Sequence, residues 1–165
     1  MKNLLADTNI YGELVIDVEV DKVKENLEKQ SSVIIFGSPI VRTELRATPK
    51  KIKVSGRNLR IDLLSLYDIL THNRVLPVTN DTERLADSYY EAYRKLGGAK
   101  GKKELWNDFL LVASASLKNM NIVVSEDEAT MQAEHSLQAY ALINLTRKLA
   151  GPQFINYKQF KELIR

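Results

Sequence analysis

Short runs of apolar residues alternate along the chain with longer segments in which apolar residues recur every three or four positions. The short runs predict buried strands, and the helical spacing predicts amphipathic helices between them. The predicted strands cover residues 4–6, 33–36, 74–78, 122–124 and 154–155. The predicted helices cover residues 16–30, 39–46, 58–71, 80–96, 104–118, 137–150 and 156–164. Continuous apolar strands that alternate with helices form parallel sheets covered on both faces, so the predicted fold is α/β, a three-layer α/β/α sandwich with a central parallel sheet.

Local signals indicate where some of these helices begin and end. Ser38 followed by Pro39 is typical of a helix N-terminus. Asn80 and Glu83 have the spacing of a capping box and predict the start of another helix. Two consecutive glycines at 97 and 98 predict where that helix ends.

Composition limits the class of protein. The chain has 165 residues, 44% of them apolar, which is enough for one core, and we expect a single domain over residues 1–165. The absence of cysteine excludes disulfides, thiolate nucleophiles and cysteine-bound metals. Neither a signal peptide nor an apolar run of the roughly 18 residues that a membrane span needs is evident. We therefore expect no membrane association and a cytoplasmic location.

Charge is unevenly distributed although the net charge is only +3. Residues 42–60 contain seven bases and one acid, and residues 94–103 contain five bases and no acid. Residues 126–134, in contrast, contain four acids and no base. Such segregation suits a surface that faces phosphates, although solvated surfaces produce similar runs.

Four acids are candidates for one site. Ligands of parallel sheets bind beyond the carboxyl ends of the strands, and Asp7 and Asp127 each follow a predicted strand. Asp108 shares the apolar stripe of its helix, and Glu44 lies near the apolar side of its own. Each acid also has an ordinary structural explanation, as a helix cap, a first-turn residue or an intrahelical partner. Together, however, four carboxylates in one place would repel one another unless they were protonated or neutralised, and hard oxygen ligands of this kind suit Mg²⁺ or Mn²⁺.

The same residues resemble the PIN-domain nucleases, whose commonest members are the toxin ribonucleases of VapBC toxin–antitoxin pairs. Asp7-Thr8-Asn9 closes the first strand, and Glu44-Leu45 lies in the helix after the second. Asp108 precedes a helix of small residues, and Ser125-Glu126-Asp127 closes the fourth apolar strand. These four segments occur in the family's order over nearly the whole chain.

The resemblance implies a metal-dependent endoribonuclease. Asp7, Glu44, Asp108 and Asp127 would be the catalytic metal ligands, whereas Thr8, Asn9 and Ser125 would hold carboxylates or a phosphate. The implied reaction is hydrolysis of an RNA phosphodiester bond with Mg²⁺ or Mn²⁺, which leaves a 5′-phosphate and a 3′-hydroxyl. A small antitoxin protein and a second copy of the chain, as a homodimer, would be partners. Glu126 receives no role.

Basic side chains near the proposed cleft are predicted to bind the substrate. Arg42, Arg46, Lys102 and Lys103 are the candidates, together with the lysines of residues 50–53. Without the four proposed ligands the formal charge would be +7, because 24 bases would face 17 acids. The predicted surface is therefore basic around an acidic site.

Two other functions remain open from the sequence. One is a non-catalytic PIN module that binds RNA or a protein partner, because a sequence cannot show that the four acids converge. The other is a different metal-dependent hydrolase such as a phosphatase, although the DxD signature expected of that class is absent.

Overall fold

A computed structural model describes residues 1–165. Its sheet and hairpin strands are β1 (Lys2–Ala6), β2 (Val33–Phe36), β3 (Lys53–Val54), β4 (Arg57–Asn58), β5 (Ile122–Val124) and β6 (Gln153–Ile155). Its helices are α1 (Thr8–Ile16), α2 (Val20–Lys29), α3 (Pro39–Arg46), α4 (Leu59–Thr71), α5 (Asn80–Lys95), α6 (Lys102–Leu117), α7 (Glu134–Thr146) and α8 (Tyr157–Leu163). The predicted α/β fold is confirmed.

The central sheet has four parallel strands in the order β2-β1-β5-β6. Residues 4–6 of β1 and all three residues of β5 are buried, as expected for strands that are covered on both faces. Because β1 and β5 are neighbours, Asp7 and Ser125, which follow these strands, meet at the same edge. We call this edge the carboxyl edge.

Helices cover the sheet in two groups. Helices α1 to α4 pack against one another, and α4 also contacts β2. In the second group α5 packs against α6 and α7, and α6 contacts β5. One connected cluster of 39 buried apolar residues runs through the sheet and both groups.

The structure differs from the predicted elements in four places. The predicted strand at 74–78 is reduced to one parallel bridge between Val75 and Gly37. The predicted helix at 16–30 is the shorter α2, and a separate helix that was not predicted, α1, precedes it and ends where the chain is extended at Asp17. The predicted basic connection at 50–57 contains the antiparallel β3–β4 hairpin. The capping box of α5 uses Thr79 and Thr82, because Thr79 rather than Asn80 has the extended backbone of an N-cap.

Side-chain caps explain why two helices begin at the carboxyl edge. Asp7 accepts a hydrogen bond from the backbone nitrogen of Thr8 at the start of α1. Ser38 accepts one from Ile40, and Pro39 occupies the first position of α3, as predicted.

None of the helices has the length and apolar character that crossing a membrane requires.

Candidate active site

The fold brings the four predicted acids to the carboxyl edge from four different elements. Asp7 caps α1, directly after β1, and Asp127 lies two residues beyond Ser125 in the loop after β5. Glu44 lies on α3, and Asp108 lies in the second turn of α6. The charges of the other three acids act on Asp108, so the four carboxylates form one electrostatic group.

Asp7 is the most deeply buried of these acids. Its side chain is buried, with 8% of the residue exposed. Oδ1 accepts from the Thr8 backbone nitrogen at 2.7 Å. Oδ2 accepts from the Ser125 hydroxyl at 2.8 Å and from Asn9 Nδ2 at 2.9 Å. Asn9 and Ser125, which were predicted to hold carboxylates or a phosphate, thus both contact this carboxylate.

Glu44 is held by two neutral donors. The Thr8 hydroxyl donates to Oε2 at 2.7 Å, and Asn107 Nδ2 donates to Oε1 at 3.0 Å. Since Thr8 begins α1 and Asn107 lies on α6, these bonds tie α3 to two other elements of the site. Glu44 is the sixth residue of α3 and still contacts the carboxyl edge, so α3 runs across this edge.

The hydroxyl of Thr130 joins Asp108 to Asp127. Thr130 Oγ1 is 2.6 Å from Asp108 Oδ2 and is also hydrogen-bonded to Asp127 Oδ2. The backbone nitrogens of Ala129 and Thr130 donate to Asp127 Oδ1 at 3.0 and 2.8 Å. A hydroxyl has one hydrogen, so it can donate to only one of the two carboxylates at a time.

No base neutralises this group of acids, because none of the four carboxylates forms a salt bridge. Burial raises the pKa of Asp7, and the charges of Glu44 and Asp127 raise it further against hydrogen bonds from Ser125 and Thr8. Burial likewise raises the pKa of Asp108 to about 7, opposed by the Thr130 hydrogen bond and reinforced by the three neighbouring acids. The site therefore favours an added positive charge.

The chemistry of the donors fits a hard divalent cation, since all four acids offer carboxylate oxygens and the chain has no cysteine. Their present positions are those of hydrogen-bonded acids. No group of three or more acidic or histidine side chains is placed to hold a metal ion in this structure. Ion binding would require Thr130, between Asp108 and Asp127, to give up part of its hydrogen bonding.

Of the four individually named substrate-binding bases, two are ion-paired and two are not. Arg42 forms an ion pair with Asp68 at 3.3 Å, and Lys102 pairs with Asp87 and lies over the Trp106 ring. Arg46 and Lys103 form no ion pair and are exposed. None of the four contacts the acidic group, and of these four only Arg46 and Lys103 have uncompensated charge.

Sequence reasoning missed three contributors to the site. Asn107 precedes Asp108 on the same helix, and Thr130 lies three residues after Asp127, a spacing typical of a side-chain turn. Glu126, to which we assigned no role, accepts from the Tyr157 backbone nitrogen at 2.5 Å, and its own nitrogen donates to Asn9. Glu126 therefore links the loop after β5 to the start of α8.

A parallel sheet between two groups of helices, with acids at its carboxyl edge, defines an α/β protein with a candidate hydrolytic site. The sequence matches the model of the PIN domain family over residues 4–135. The chain therefore belongs to the PIN domain family, and the resemblance drawn from the sequence is confirmed. No curated protein gives a significant sequence match.

Several solved structures share the fold. VapBC2 from Rickettsia felis, bound to a DNA fragment from its promoter, aligns with a TM-score of 0.60 and 16% identity over 93% of this chain and 98% of that chain. VapBC-1 from nontypeable Haemophilus influenzae aligns with a TM-score of 0.59 and 16% identity over 94% of this chain and 98% of that chain. VapBC-5 from Mycobacterium tuberculosis is a member of the VapBC family of toxin–antitoxin systems. It aligns with a TM-score of 0.53 and 13% identity over 94% of this chain and 98% of that chain. At these identities the likeness shows the fold.

Proposed function

We propose that this chain is a divalent-metal-dependent endoribonuclease and the toxin of a toxin–antitoxin pair. The observation that carries the proposal is the uncompensated acidic group at the carboxyl edge, in which the pKa of Asp108 is raised to about 7. A structural carboxylate in that position would gain stability from a basic partner, and none is present. Retaining such a costly arrangement is typical of a site that binds a cation.

Asp7, Glu44, Asp108 and Asp127 would hold the ion. A bound Mg²⁺ would supply the positive charge that activates water and neutralises the phosphate oxygens. Ser125 and Asn9 fix the position of Asp7 through their hydrogen bonds, and the Ser125 bond also opposes the rise that burial causes in the pKa of Asp7. Thr8 and Asn107 orient Glu44 in the same way, so each carboxylate would enter the reaction with its direction already set.

The proposed partners follow from the family and from charge. RNA is the proposed substrate, and Arg46 and Lys103 are its proposed phosphate contacts. Similarity to VapBC complexes supports a small antitoxin as the protein partner. We further propose that residues 1–165 act as one nuclease domain, as a homodimer, in the cytoplasm.

Cleavage of RNA tests the proposal. Purified protein is incubated with end-labelled RNA in Mg²⁺, in Mn²⁺ or in EDTA, beside a small phosphate ester that detects phosphatase activity. We expect RNA cleavage with either metal, none in EDTA and no ester hydrolysis. Asp7→Asn and Asp108→Asn are expected to reduce the rate by a factor of at least about 100.

Glu128→Gln is the matched control, since Glu128 is an exposed acid in the same loop and forms no salt bridge. It is expected to cleave like the wild type. Circular dichroism would establish that all variants are folded. Cleavage that persists in EDTA, or in both Asp7→Asn and Asp108→Asn, would contradict the proposal.

A second candidate function is a non-catalytic PIN module that binds RNA or a protein partner. One observation favours it, namely that no three acids are placed around one point in this structure. The cleavage experiment separates the two functions when RNA binding and Mn²⁺ binding are measured on the same protein. A folded protein that binds RNA, fails to bind Mn²⁺ and leaves the RNA intact would be the non-catalytic module.

A further inference from the structure

A basic segment with the β3–β4 hairpin at its centre follows α3, the helix that carries Glu44, and most of its charges form no ion pair. Six bases and no acid lie within residues 46–60. They are Arg46, Lys50, Lys51, Lys53, Arg57 and Arg60. Among these only Arg57 forms an ion pair, with Asp62 at 3.0 Å. The three lysines of α2, in contrast, are all paired with acids of the same helix or its N-cap.

The hairpin has a defined shape. Ser55 and Gly56 form its turn with φ of 50° and 76°, the positive values that a tight two-residue hairpin turn requires. Asn58 Nδ2 donates to the Lys50 carbonyl at 2.8 Å, and the Leu59 nitrogen donates to the Ile52 carbonyl at 3.0 Å. These bonds fix the hairpin backbone to the start of α4. The lysines therefore project from an ordered support, and a polyanion could bind them without first ordering the chain.

The hairpin lies within reach of the acidic group. Helix α3 runs across the carboxyl edge, because Glu44 near its end still contacts Thr8 and Asn107. Lys50 follows Glu44 by six residues, so their Cα atoms are at most about 22 Å apart even if the chain between them were extended. A nucleic acid strand that extends several nucleotides from the acidic group could therefore reach these lysines.

From this placement we propose that Lys50, Lys51 and Lys53 of the hairpin bind the phosphate backbone of single-stranded RNA next to the acidic site. The proposal rests on the proposed function, since it extends the binding surface of the same site. The hairpin has no aromatic side chain to stack on bases, and both ends of its one side-chain amide, that of Asn58, are already bonded to the Lys50 carbonyl and the Ile61 nitrogen. The contacts are therefore to phosphates, and the hairpin adds affinity without sequence preference.

RNA affinity without cleavage tests the proposal. Full-length wild type and the triple variant Lys50→Gln/Lys51→Gln/Lys53→Gln are titrated in EDTA onto fluorescein-labelled single-stranded RNAs of unrelated sequence, and anisotropy is recorded at several salt concentrations. The variant is expected to bind every RNA about 10- to 100-fold more weakly at 0.1 M salt. The slope of log affinity against log salt should fall by about 2, which corresponds to three lost phosphate contacts.

A matched variant removes the same charge from the opposite edge of the sheet. Lys2 begins β1, Lys118 precedes β5 and Lys148 precedes β6; all three are exposed and form no ion pair. Lys2→Gln/Lys118→Gln/Lys148→Gln is expected to bind RNA within about twofold of the wild type, since charges beyond a Debye length are screened. An equal loss in both triple variants would overturn the proposal, because it would reflect net charge alone.

The remaining outcomes separate this proposal from the proposed function. Unchanged RNA affinity of the hairpin variant would overturn the hairpin proposal, even if the wild type cleaves RNA. A variant that lost affinity for duplex DNA of the same length, but not for single-stranded RNA, would overturn it as well. Loss of RNA affinity in the hairpin variant of a protein that cleaves nothing would support the hairpin and contradict the nuclease. In the active enzyme we expect the hairpin variant to raise KM and leave kcat unchanged.

Discussion

The acidic group is held by neutral donors at every residue. Hydroxyl, amide and backbone N–H groups position the four carboxylates, and no Lys or Arg compensates their charge. Hydrogen bonds of this kind orient an acid and leave most of its negative charge available to a ligand. In the protein without metal the charged form of Asp108 is therefore disfavoured, mainly by burial and further by repulsion from the other three acids.

Asp108→Asn is predicted to stabilise the protein in EDTA. The folded pKa of about 7 exceeds the ordinary value of 3.8, so between these pH values the folded chain binds more protons than the unfolded chain. Stability therefore falls as pH rises through this window. At pH 8 we expect the variant to be more stable by about 1–2 kcal/mol after solvent screening, or a Tm higher by about 2–8 °C.

Thermal melts from pH 4 to pH 8 measure this effect. The difference in Tm between Asp108→Asn and wild type should shrink toward zero at the acid end, where both side chains are neutral. A variant that is less stable than the wild type at pH 8 would show that Asp108 makes a net stabilising contact.

Thr130 is predicted to position Asp108 and Asp127 for an ion. Thr130→Val keeps the shape of the side chain and removes the hydroxyl that contacts both carboxylates. We expect Mn²⁺ affinity, measured by calorimetry, to fall about 10- to 100-fold, as is typical when a residue that orients metal ligands is lost. Thr130→Ser, which keeps the hydroxyl, should bind Mn²⁺ nearly as the wild type does. Equal affinity in the Val variant would assign Thr130 a purely structural role.

Among the elements, the junction between β2 and α3 decides where Glu44 lies. Gly37 donates its N–H to the Arg74 carbonyl at 2.7 Å and accepts from the Leu76 nitrogen at 2.9 Å. The Tyr67 hydroxyl donates to the Ser38 carbonyl at 3.0 Å and passes close to Gly37. This junction therefore fixes the start of α3 against α4 and the segment after it.

Gly37→Ala is predicted to destabilise this junction. An added Cβ would lie 2.2 Å from the Tyr67 oxygen, which is buried and bonded to Ser38. We expect a loss of about 1–3 kcal/mol, seen as a lower midpoint in urea, as is typical of overpacking. Gly12→Ala is the control, because Gly12 lies within α1 with nothing within 4 Å of its Cβ position, and the helix should gain about 0.5–1 kcal/mol. An unchanged midpoint for Gly37→Ala would show that Tyr67 is free to move.

At the scale of the whole molecule, the pattern of apolar runs was sufficient to predict the parallel sheet, because continuous burial leaves a strong periodic signal. It failed at residues 74–78, where an apolar segment pairs through one residue only. The four acids could be predicted because each follows or flanks a buried element. Thr130 and Asn107 could not, since their roles depend on contacts across 22 and 63 residues of chain.

The central claim is that Asp7, Glu44, Asp108 and Asp127 form one ion site, and diffraction from crystals soaked in Mn²⁺ tests it most directly. We predict an anomalous peak at the carboxyl edge, about 2 Å from oxygens of at least two of the four carboxylates. We also predict that at least one of the two contacts between Thr130 and the carboxylates of Asp108 and Asp127 is lost. A crystal without a peak there, in which Thr130 still joins Asp108 to Asp127, would contradict the claim.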